Sequence, residues 1–281
     1  MIKTVLFGTG KAANNFLIND IKKREYIVAV DNNTKQHGKE FHSMKIIGVD
    51  RLSSYEYDEI VVASFAGLEI KHQLLSLGVD ESKIYLPQKY LLKSGIQYPF
   101  EDENTIAQAR TITKIIASRA YNLNIPLHID WGTLIGILRD GDIIRWDDDI
   151  DFSSLLSHKK EVKEMIDSLK EQIEKELSCE LDILTTPKKL KITCNANKQQ
   201  FHPFEVDIEF KVIEDGEAIQ SGNRVWYTPS KHIEQLESFI WQDTKLFVPS
   251  DADAYLSFVY GDWKTPKKDY SLDDFNNYKV L

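Results

Sequence analysis

Apolar positions in this chain fall into short runs at first and into helical stripes later. Ile2–Phe7 reads as a buried strand, and a helical pattern follows the Gly8-Thr9-Gly10 turn to about Lys23. Tyr26–Val30 is a second apolar run and ends at Asp31. Lys45–Val49 and Glu59–Ala63 read as strands, Gly67–Leu77 as a helix and Lys83–Leu86 as a last short strand. The alternation predicts about five parallel strands with helical crossovers. Between Pro87 and Asn104 the pattern stops, broken by Pro87, Gly95, Pro99 and the acidic Glu101-Asp102-Glu103. It restarts as an amphipathic helix over 105–122, with Ile106, Ala109, Ile112, Ile115, Ile116 and Ala120 on one face. Val162, Met165, Ile166, Leu169, Ile173 and Leu177 form another helical stripe. The expectation is an α/β chain of two domains. Residues 1–92 form a small Rossmann-like parallel-sheet domain, 93–105 a linker, and 106–281 an α+β domain with a mixed sheet.

Two segments of the second domain depart from ordinary core patterning. Read as a strand, 145–152 places Arg145, Asp147, Asp149 and Asp151 on one face, with Trp146, Ile150 and Phe152 on the other. Asp148 breaks that alternation and reads as structural. In Glu205-Val206-Asp207-Ile208-Glu209-Phe210 acids alternate strictly with apolar residues. Two like charges about 4 Å apart repel by roughly 4 kcal/mol at an effective dielectric near 20, so a stack of carboxylates needs a cation, a proton or open water. Apolar residues flank both runs and put them in a core sheet, which favours a cation. Hard oxygen ligands suit Mg²⁺ or Mn²⁺, and too few His and Cys cluster here for zinc.

Trp131-Gly132-Thr133-Leu134-Ile135-Gly136-Ile137-Leu138-Arg139, followed by Ile144-Arg145-Trp146-Asp147-Asp148-Asp149-Ile150-Asp151, resembles the LicD/fukutin family. That family has a nucleotidyltransferase fold and includes bacterial phosphocholine transferases and fukutin-related ribitol-phosphate transferases. Val206-Asp207-Ile208 is similar to its third carboxylate strand, and Tyr260-Gly261-Asp262-Trp263-Lys264-Thr265-Pro266 to its Tyr-Gly-Asp-aromatic segment. The resemblance spans about 106–270. It departs from the family in having Arg145 where a proline often stands and no proline after Asp207.

The resemblance implies Asp149, Asp151 and Asp207 as metal ligands, with Asp147 either a fourth ligand or the general base for an acceptor hydroxyl. The DxD pair can be read as 147/149 or 149/151, and Ile150 as an apolar middle residue favours the second. Gly132 and Thr133 would form a turn holding donor phosphates, and Arg139 and Arg145 would contact phosphate or else brace the acidic strand. The implied reaction moves a phospho-alcohol from a CDP-linked donor to a glycan hydroxyl. Transfer of a nucleoside monophosphate from an NTP, or a non-catalytic nucleotide-sugar-binding role, are the alternatives. His128 and His202 read as packed histidines, and Lys188, Lys189 and Lys191 as a solvated charged face. Trp226, Tyr227 and Trp241 read as core or acceptor-cleft residues. Asp262 and Trp263 read as structural, with Gly261 closing a helix.

The first domain carries its own motif. Gly8-Thr9-Gly10-Lys11-Ala12-Ala13 with Asp31 on the next strand fits a dinucleotide fingerprint, whose glycines admit a pyrophosphate to a helix N-terminus. The domain is small and resembles the Rossmann-like units at the front of some sugar-modifying and polysaccharide-assembly proteins. A docking role and nucleotide binding through Gly8, Gly10 and Asp31 both remain open.

Composition narrows the partners. The 281 residues are 42 % hydrophobic, enough for two cores, and carry a net charge of −9. That charge disfavours nucleic acid, whose affinity rests on neutralising phosphates. No run approaches the roughly 18 apolar residues of a membrane span, and the N-terminus reads as a first strand rather than a signal peptide. Peripheral association with a membrane-linked glycan stays open. Cys179 and Cys194 form neither a disulfide framework nor a zinc site and read as buried thiols, which fits the cytoplasm.

Overall fold

The computed structural model describes residues 1–93, 98–197, 200–221, 225–268 and 275–279; Gly95, read as part of the join, lies outside them. The chain divides into two compact units, one within residues 1–95 and the other beginning at residue 96.

In the first unit, β1 (Ile2–Phe7), α1 (Lys11–Asn19), β2 (Arg24–Val30), β3 (Glu40–Phe41), β4 (Met44–Ile47), β5 (Glu59–Val62), α2 (Gly67–Ser76) and β6 (Ile84–Tyr85) follow in order. The sheet order is β3-β4-β2-β1-β5-β6, and every pairing is parallel except β3 with β4. The five expected parallel strands are therefore present, with β3 added at the edge. Val5, Leu6, Val28, Ala29, Ile60 and Val61 are fully buried, as a parallel sheet covered on both faces requires. At the end of β1 the chain turns at Gly8, whose φ is +111°. A Cβ there would lie 2.8 Å from the Ala63 carbonyl oxygen, so the turn needs glycine for both conformation and space.

The second unit opens on a short 3₁₀ turn, Pro99–Glu101, whose Phe100 is buried in that unit's core. It continues with α3 (Glu103–Asn122), β7 (Leu127–Ile129), α4 (Trp131–Ile135), β8 (Asp149–Leu155), α5 (Lys159–Leu177), β9 (Cys179–Thr185), β10 (Lys189–Ala196), β11 (Phe204–Glu214), β12 (Glu217–Ser221), β13 (Val225–Pro229), α6 (Lys231–Glu234), β14 (Leu236–Trp241), β15 (Thr244–Pro249), α7 (Ala252–Tyr260) and β16 (Tyr278–Lys279). Asp102 caps α3 by accepting the Thr105 N–H at 2.8 Å, a contact of a kind worth about 1 kcal/mol. The α3 stripe Ile106, Ala109, Ile112, Ile116 and Ala120 is fully buried, and so is the α5 stripe from Val162 to Leu177.

The sheet of this unit is mixed, with order β14-β15-β7-β8-β11-β12-β13-β16, and β10 and β9 extend it from β11. Strand β11 is long enough to hold several partners. Its first half lies between β8, parallel, and β10, antiparallel, while its end turns back on β12. Parallel pairing sets Asp149 opposite Glu205 and Asp151 opposite Asp207. The antiparallel side sets Lys191 opposite Asp207 and Lys189 opposite Glu209.

One expectation needs correction. The strand read over 145–152 starts only at Asp149 and runs to Leu155, while residues 145–146 form a turn and 147–148 precede the strand outside any element. Arg145 and Asp147 therefore do not share a strand face with Asp149 and Asp151. The cause is local hydrogen bonding: Asp147 donates its N–H to the Ile144 carbonyl, and its own Oδ1 accepts the Asp148 N–H at 3.0 Å. This Asp turn competes with extended pairing.

Replacing Gly8 with alanine should cost the first unit about 1–3 kcal/mol through the strained positive φ and the approach to Ala63. Hydrogen exchange across residues 1–93 should show correspondingly faster opening of β1 and β5; unchanged protection would refute the steric account.

Candidate active site

Asp149 and Asp151 stand two apart on β8, so they share a face, and Asp207 joins them from β11. One carboxylate oxygen from each lies within 4.8 Å of the others. A second grouping, Asp147, Asp148 and Asp149, meets the same limit and extends the acidic surface into the preceding turn. Asp149 and Asp207 are each 7 % exposed, so water screens this face poorly. Burial pushes the Asp207 carboxyl above the usual carboxylate range, Asp149 adds to the rise, and Lys189 opposes it. Burial also raises Glu209.

Lysines on β10 offset part of this charge. Lys189 bonds Asp207 Oδ2 and reaches Glu209 Oε1 at 3.3 Å, and Lys191 bonds Glu205 Oε2 at 2.5 Å. Burial alone would lower the Lys189 ammonium, but Asp207 and Glu209 beside it hold it above its ordinary value. The reading of Lys189 and Lys191 as a solvated face is thus corrected: they are the cationic partners of the β11 acids. A signal existed in the sequence, because Lys189 and Lys191 alternate at the same spacing of two as Glu205, Asp207 and Glu209.

The geometry fits a hard divalent cation. Asp207 Oδ1 is buried with no hydrogen-bond partner, while Oδ2 is held by Lys189. A buried, unpaired carboxylate oxygen is costly unless something positive meets it. Asp149, Asp151 and Asp207 together offer an all-oxygen donor set of the kind Mg²⁺ and Mn²⁺ take.

The segment read as a phosphate-holding turn is the short helix α4. Asp130 caps it, accepting the Trp131 N–H at 2.8 Å on Oδ1. Trp131 takes a left-handed φ of +47°, a strain the surrounding contacts must hold. Thr133 is buried, and its hydroxyl accepts the Asp151 N–H at 2.9 Å, so it fixes the carboxylate strand from behind. Gly132 faces Asp147, and a Cβ there would run into the Asp147 carboxylate. The glycine thus lets the acidic turn close onto α4.

Both arginines are engaged elsewhere. Arg139 forms a bidentate pair with its neighbour Asp140, at 2.8 and 2.7 Å, and donates to the Trp263 carbonyl at 3.4 Å. Arg145 pairs with Glu103 at 2.6 Å. Trp131 stands in an aromatic group, with ring centroids 5.6 Å from Trp226 and 6.4 Å from Tyr260. Trp241 is core, its indole N–H donating to the Gly141 carbonyl at 2.9 Å. Gly261 closes α7 at a φ of +66° and Trp263 is buried behind it.

Sequence reasoning missed a buried polar cluster under α4. Asp130 Oδ2 accepts from Lys211 Nζ at 2.6 Å and Ser153 Oγ at 2.6 Å, and Oδ1 from the Tyr255 hydroxyl at 2.6 Å. Burial alone would raise the Asp130 carboxyl, but Lys211 and the hydrogen bonds hold it down at about 2. His128 lies beside this cluster with both ring nitrogens unpartnered. Burial drives its pKa down to about 4, outweighing Asp130 at 4.0 Å, and Lys211 adds to the fall. His128 is therefore neutral and packed. A lone Asp in front of Trp-Gly-Thr was the available signal; its partners lie 23 to 125 residues away.

In the first unit, Gly8, Gly10 and Asp31 come together at one loop. Asp31 Oδ2 accepts the Thr9 N–H at 3.0 Å and Oδ1 accepts the Asn33 N–H at 2.8 Å. Gly10 caps α1 with no side-chain hydrogen bond. Asp31 thus shapes the glycine loop itself.

Known proteins resemble the chain in parts. Residues 124–251 match the family model described as LicD/FKTN/FKRP, nucleotidyltransferase domain, and residues 1–85 match the one described as C2185-like, N-terminal. The resemblance read from the sequence is met over 124–251. No curated protein matches the chain. Among solved structures, UDP-D-quinovosamine 4-dehydrogenase from Vibrio fischeri shares 18 % identity over 31 % of this chain and 76 % of its own, at a TM-score of 0.25. ANT(2")-Ia in complex with adenylyl-2"-tobramycin shares 18 % over 54 % and 77 %, at 0.30. UDP-N-acetylglucosamine 3-dehydrogenase from Acidithiobacillus ferrooxidans shares 10 % over 92 % and 86 %, at 0.26. Likeness at this level carries no argument about function. No helix among the described residues is long and apolar enough to cross a membrane.

Two outcomes are expected from the buried cluster. Lys211→Met, which strands the Asp130 charge, should lower stability by about 3–5 kcal/mol in urea unfolding, and adding Asp130→Asn should restore much of the loss. For His128, the unfolded chain takes a proton near pH 6.5, whereas the folded chain resists it until about 4. Stability should therefore fall as pH drops from 6.5 toward 4, by at most about 1.4 kcal/mol per pH unit from this group. Urea midpoints across that range should show a shallower slope in His128→Gln; equal slopes would refute the assignment.

Proposed function

We propose that the chain is a metal-dependent phosphotransferase that moves a phospho-alcohol from a CDP-linked donor to a hydroxyl of a glycan. The observation that carries the reading is the convergence of Asp149, Asp151 and Asp207, with Asp207 Oδ1 buried and unpartnered. The LicD-type match over 124–251 supports the reaction class. Asp149, Asp151 and Asp207 would hold Mg²⁺ or Mn²⁺, which supplies charge neutralisation on the phosphates and orientation for in-line attack.

The protein's own residues divide the remaining tasks. Thr133 fixes the Asp151 backbone, and Lys211 with Tyr255 and Ser153 fixes Asp130 at the start of α4. Asp147, set against Gly132 at the edge of the acidic surface, takes the proton from the acceptor hydroxyl. The acceptor oxygen forms a bond to the phosphorus of the phospho-alcohol, the bond from that phosphorus to the bridging oxygen breaks, and cytidine monophosphate leaves. Arg139 and Arg145 need not touch phosphate, since each already has a carboxylate partner. The half-buried aromatic group of Trp131, Trp226 and Tyr260 beside α4 offers a stacking surface for a base or sugar ring. The site acts on soluble or membrane-linked glycan precursors from the cytoplasmic side.

The test is release of CMP from CDP-choline, CDP-ethanolamine, CDP-glycerol or CDP-ribitol with a mixed glycan acceptor. Release is expected to need Mg²⁺ or Mn²⁺, to stop with a chelator, and to fall by at least about 10³-fold in Asp149→Asn, a loss on the order of 4 kcal/mol of transition-state stabilisation. Wild-type rates in a folded Asp149→Asn would sink the proposal. Pyrophosphate released from an NTP in place of CMP would replace it with nucleotidyl transfer at the same carboxylates.

A further inference from the structure

We infer that Lys189 sets which divalent ion the carboxylates accept, by restricting Asp207 to coordination through a single oxygen. The inference rests on the metal reading above. Asp207 Oδ2 is taken by the Lys189 ammonium, and Oδ1 alone is left buried without a partner. The same ammonium reaches Glu209 Oε1 at 3.3 Å, so the next acid on that face is also held away. The β10–β11 register fixes this arrangement, because Lys189 sits opposite Glu209 and therefore diagonal to Asp207. Lys191 makes the equivalent diagonal contact to Glu205 and leaves Asp207 Oδ1 untouched.

The consequence follows from ion size. Mg²⁺ takes six oxygens at about 2.0–2.1 Å and suits carboxylates bound through one oxygen, whereas Ca²⁺ takes 6–8 at about 2.3–2.6 Å and readily accepts both oxygens of one carboxylate. Mn²⁺ shares the preference for small octahedral oxygen sites. Removing Lys189 releases Asp207 Oδ2 as an additional donor, which favours the larger ion. Removing its charge strengthens binding of every divalent ion alike, so the ratio of Ca²⁺ to Mn²⁺ affinity isolates geometry from charge. Lys189 is thus a positioning residue acting through Asp207.

The experiment is Mn²⁺ titration of the full chain by electron paramagnetic resonance, with Ca²⁺ measured by competition and folding checked by circular dichroism. Groups that orient metal ligands typically shift affinity by about 10–100-fold, so Lys189→Met should raise the Ca²⁺/Mn²⁺ affinity ratio by at least about tenfold. Lys191→Met, which removes equal charge, should keep the wild-type ratio. Lys189→Gln, neutral but polar, should show the same rise and serves if Lys189→Met does not fold. An unchanged ratio in a folded Lys189 variant, or an equal rise in Lys191→Met, overturns the role of Lys189 while leaving the metal site standing. Failure of the wild-type protein to bind Mn²⁺ overturns the metal reading and this inference with it.

Discussion

Like charge packed onto neighbouring strands is the constraint around which the second unit is built. The parallel pairing of β8 with β11 places Asp151 opposite Asp207 and Asp149 opposite Glu205. Asp149, Asp151 and Asp207 bring carboxylate oxygens within 4.8 Å of one another, and two like charges about 4 Å apart repel by roughly 4 kcal/mol at an effective dielectric near 20. The alternating residues Ile150, Phe152, Val206 and Ile208 are fully buried and hold the register in spite of that repulsion. A shift of one residue would turn the acids into the apolar core and the apolar set onto the acidic face, so the pairing that concentrates charge is also the one the core enforces. Lys189 and Lys191 on β10 offset the charge of the β11 acids, Lys189 at Asp207 and Lys191 at Glu205.

A second buried ion pair brackets the same face. Asp130 and Lys211 come from β7's end and from β11, and with Tyr255 of α7 and Ser153 of β8 they tie four elements to the start of α4. Removing either charge alone would be expensive, while the pair together adds little net stability. Its role is therefore positional. It fixes α4, α4 presents Thr133 to the Asp151 N–H, and Gly132 admits the Asp147 turn. The strained φ of Trp131 is tolerated at this same point.

The first unit follows different physics. Its sheet is parallel and apolar on both faces, and its glycine loop is shaped by Asp31 accepting from Thr9 and Asn33. Its match to a C2185-like N-terminal model and the LicD-type match of the second unit describe two separate modules in one chain.

Period and alternation determined much of this by themselves. The α3 and α5 stripes, the parallel strands of the first unit and the Glu-Val-Asp-Ile-Glu alternation on β11 are local properties, carried by side chains a few residues apart. The pairing of Asp149 and Asp151 with Asp207 was also legible, because two acidic strands in one sheet and the LicD-type motif pointed to the same residues. Other features needed the third dimension. The Asp147 turn arises where side-chain-to-backbone bonds win over strand extension, which alternation cannot reveal. The pairing of Arg145 with Glu103, 42 residues away, was decided only once the chain had folded. Lys189, Lys191 and the Asp130–Lys211–Tyr255 cluster draw on elements far apart in sequence, and their charges acquire meaning only through strand register and burial. Sequence sets which faces are apolar and which are charged; tertiary packing decides which charges meet, because low-dielectric contact depends on distances that only the folded sheet fixes.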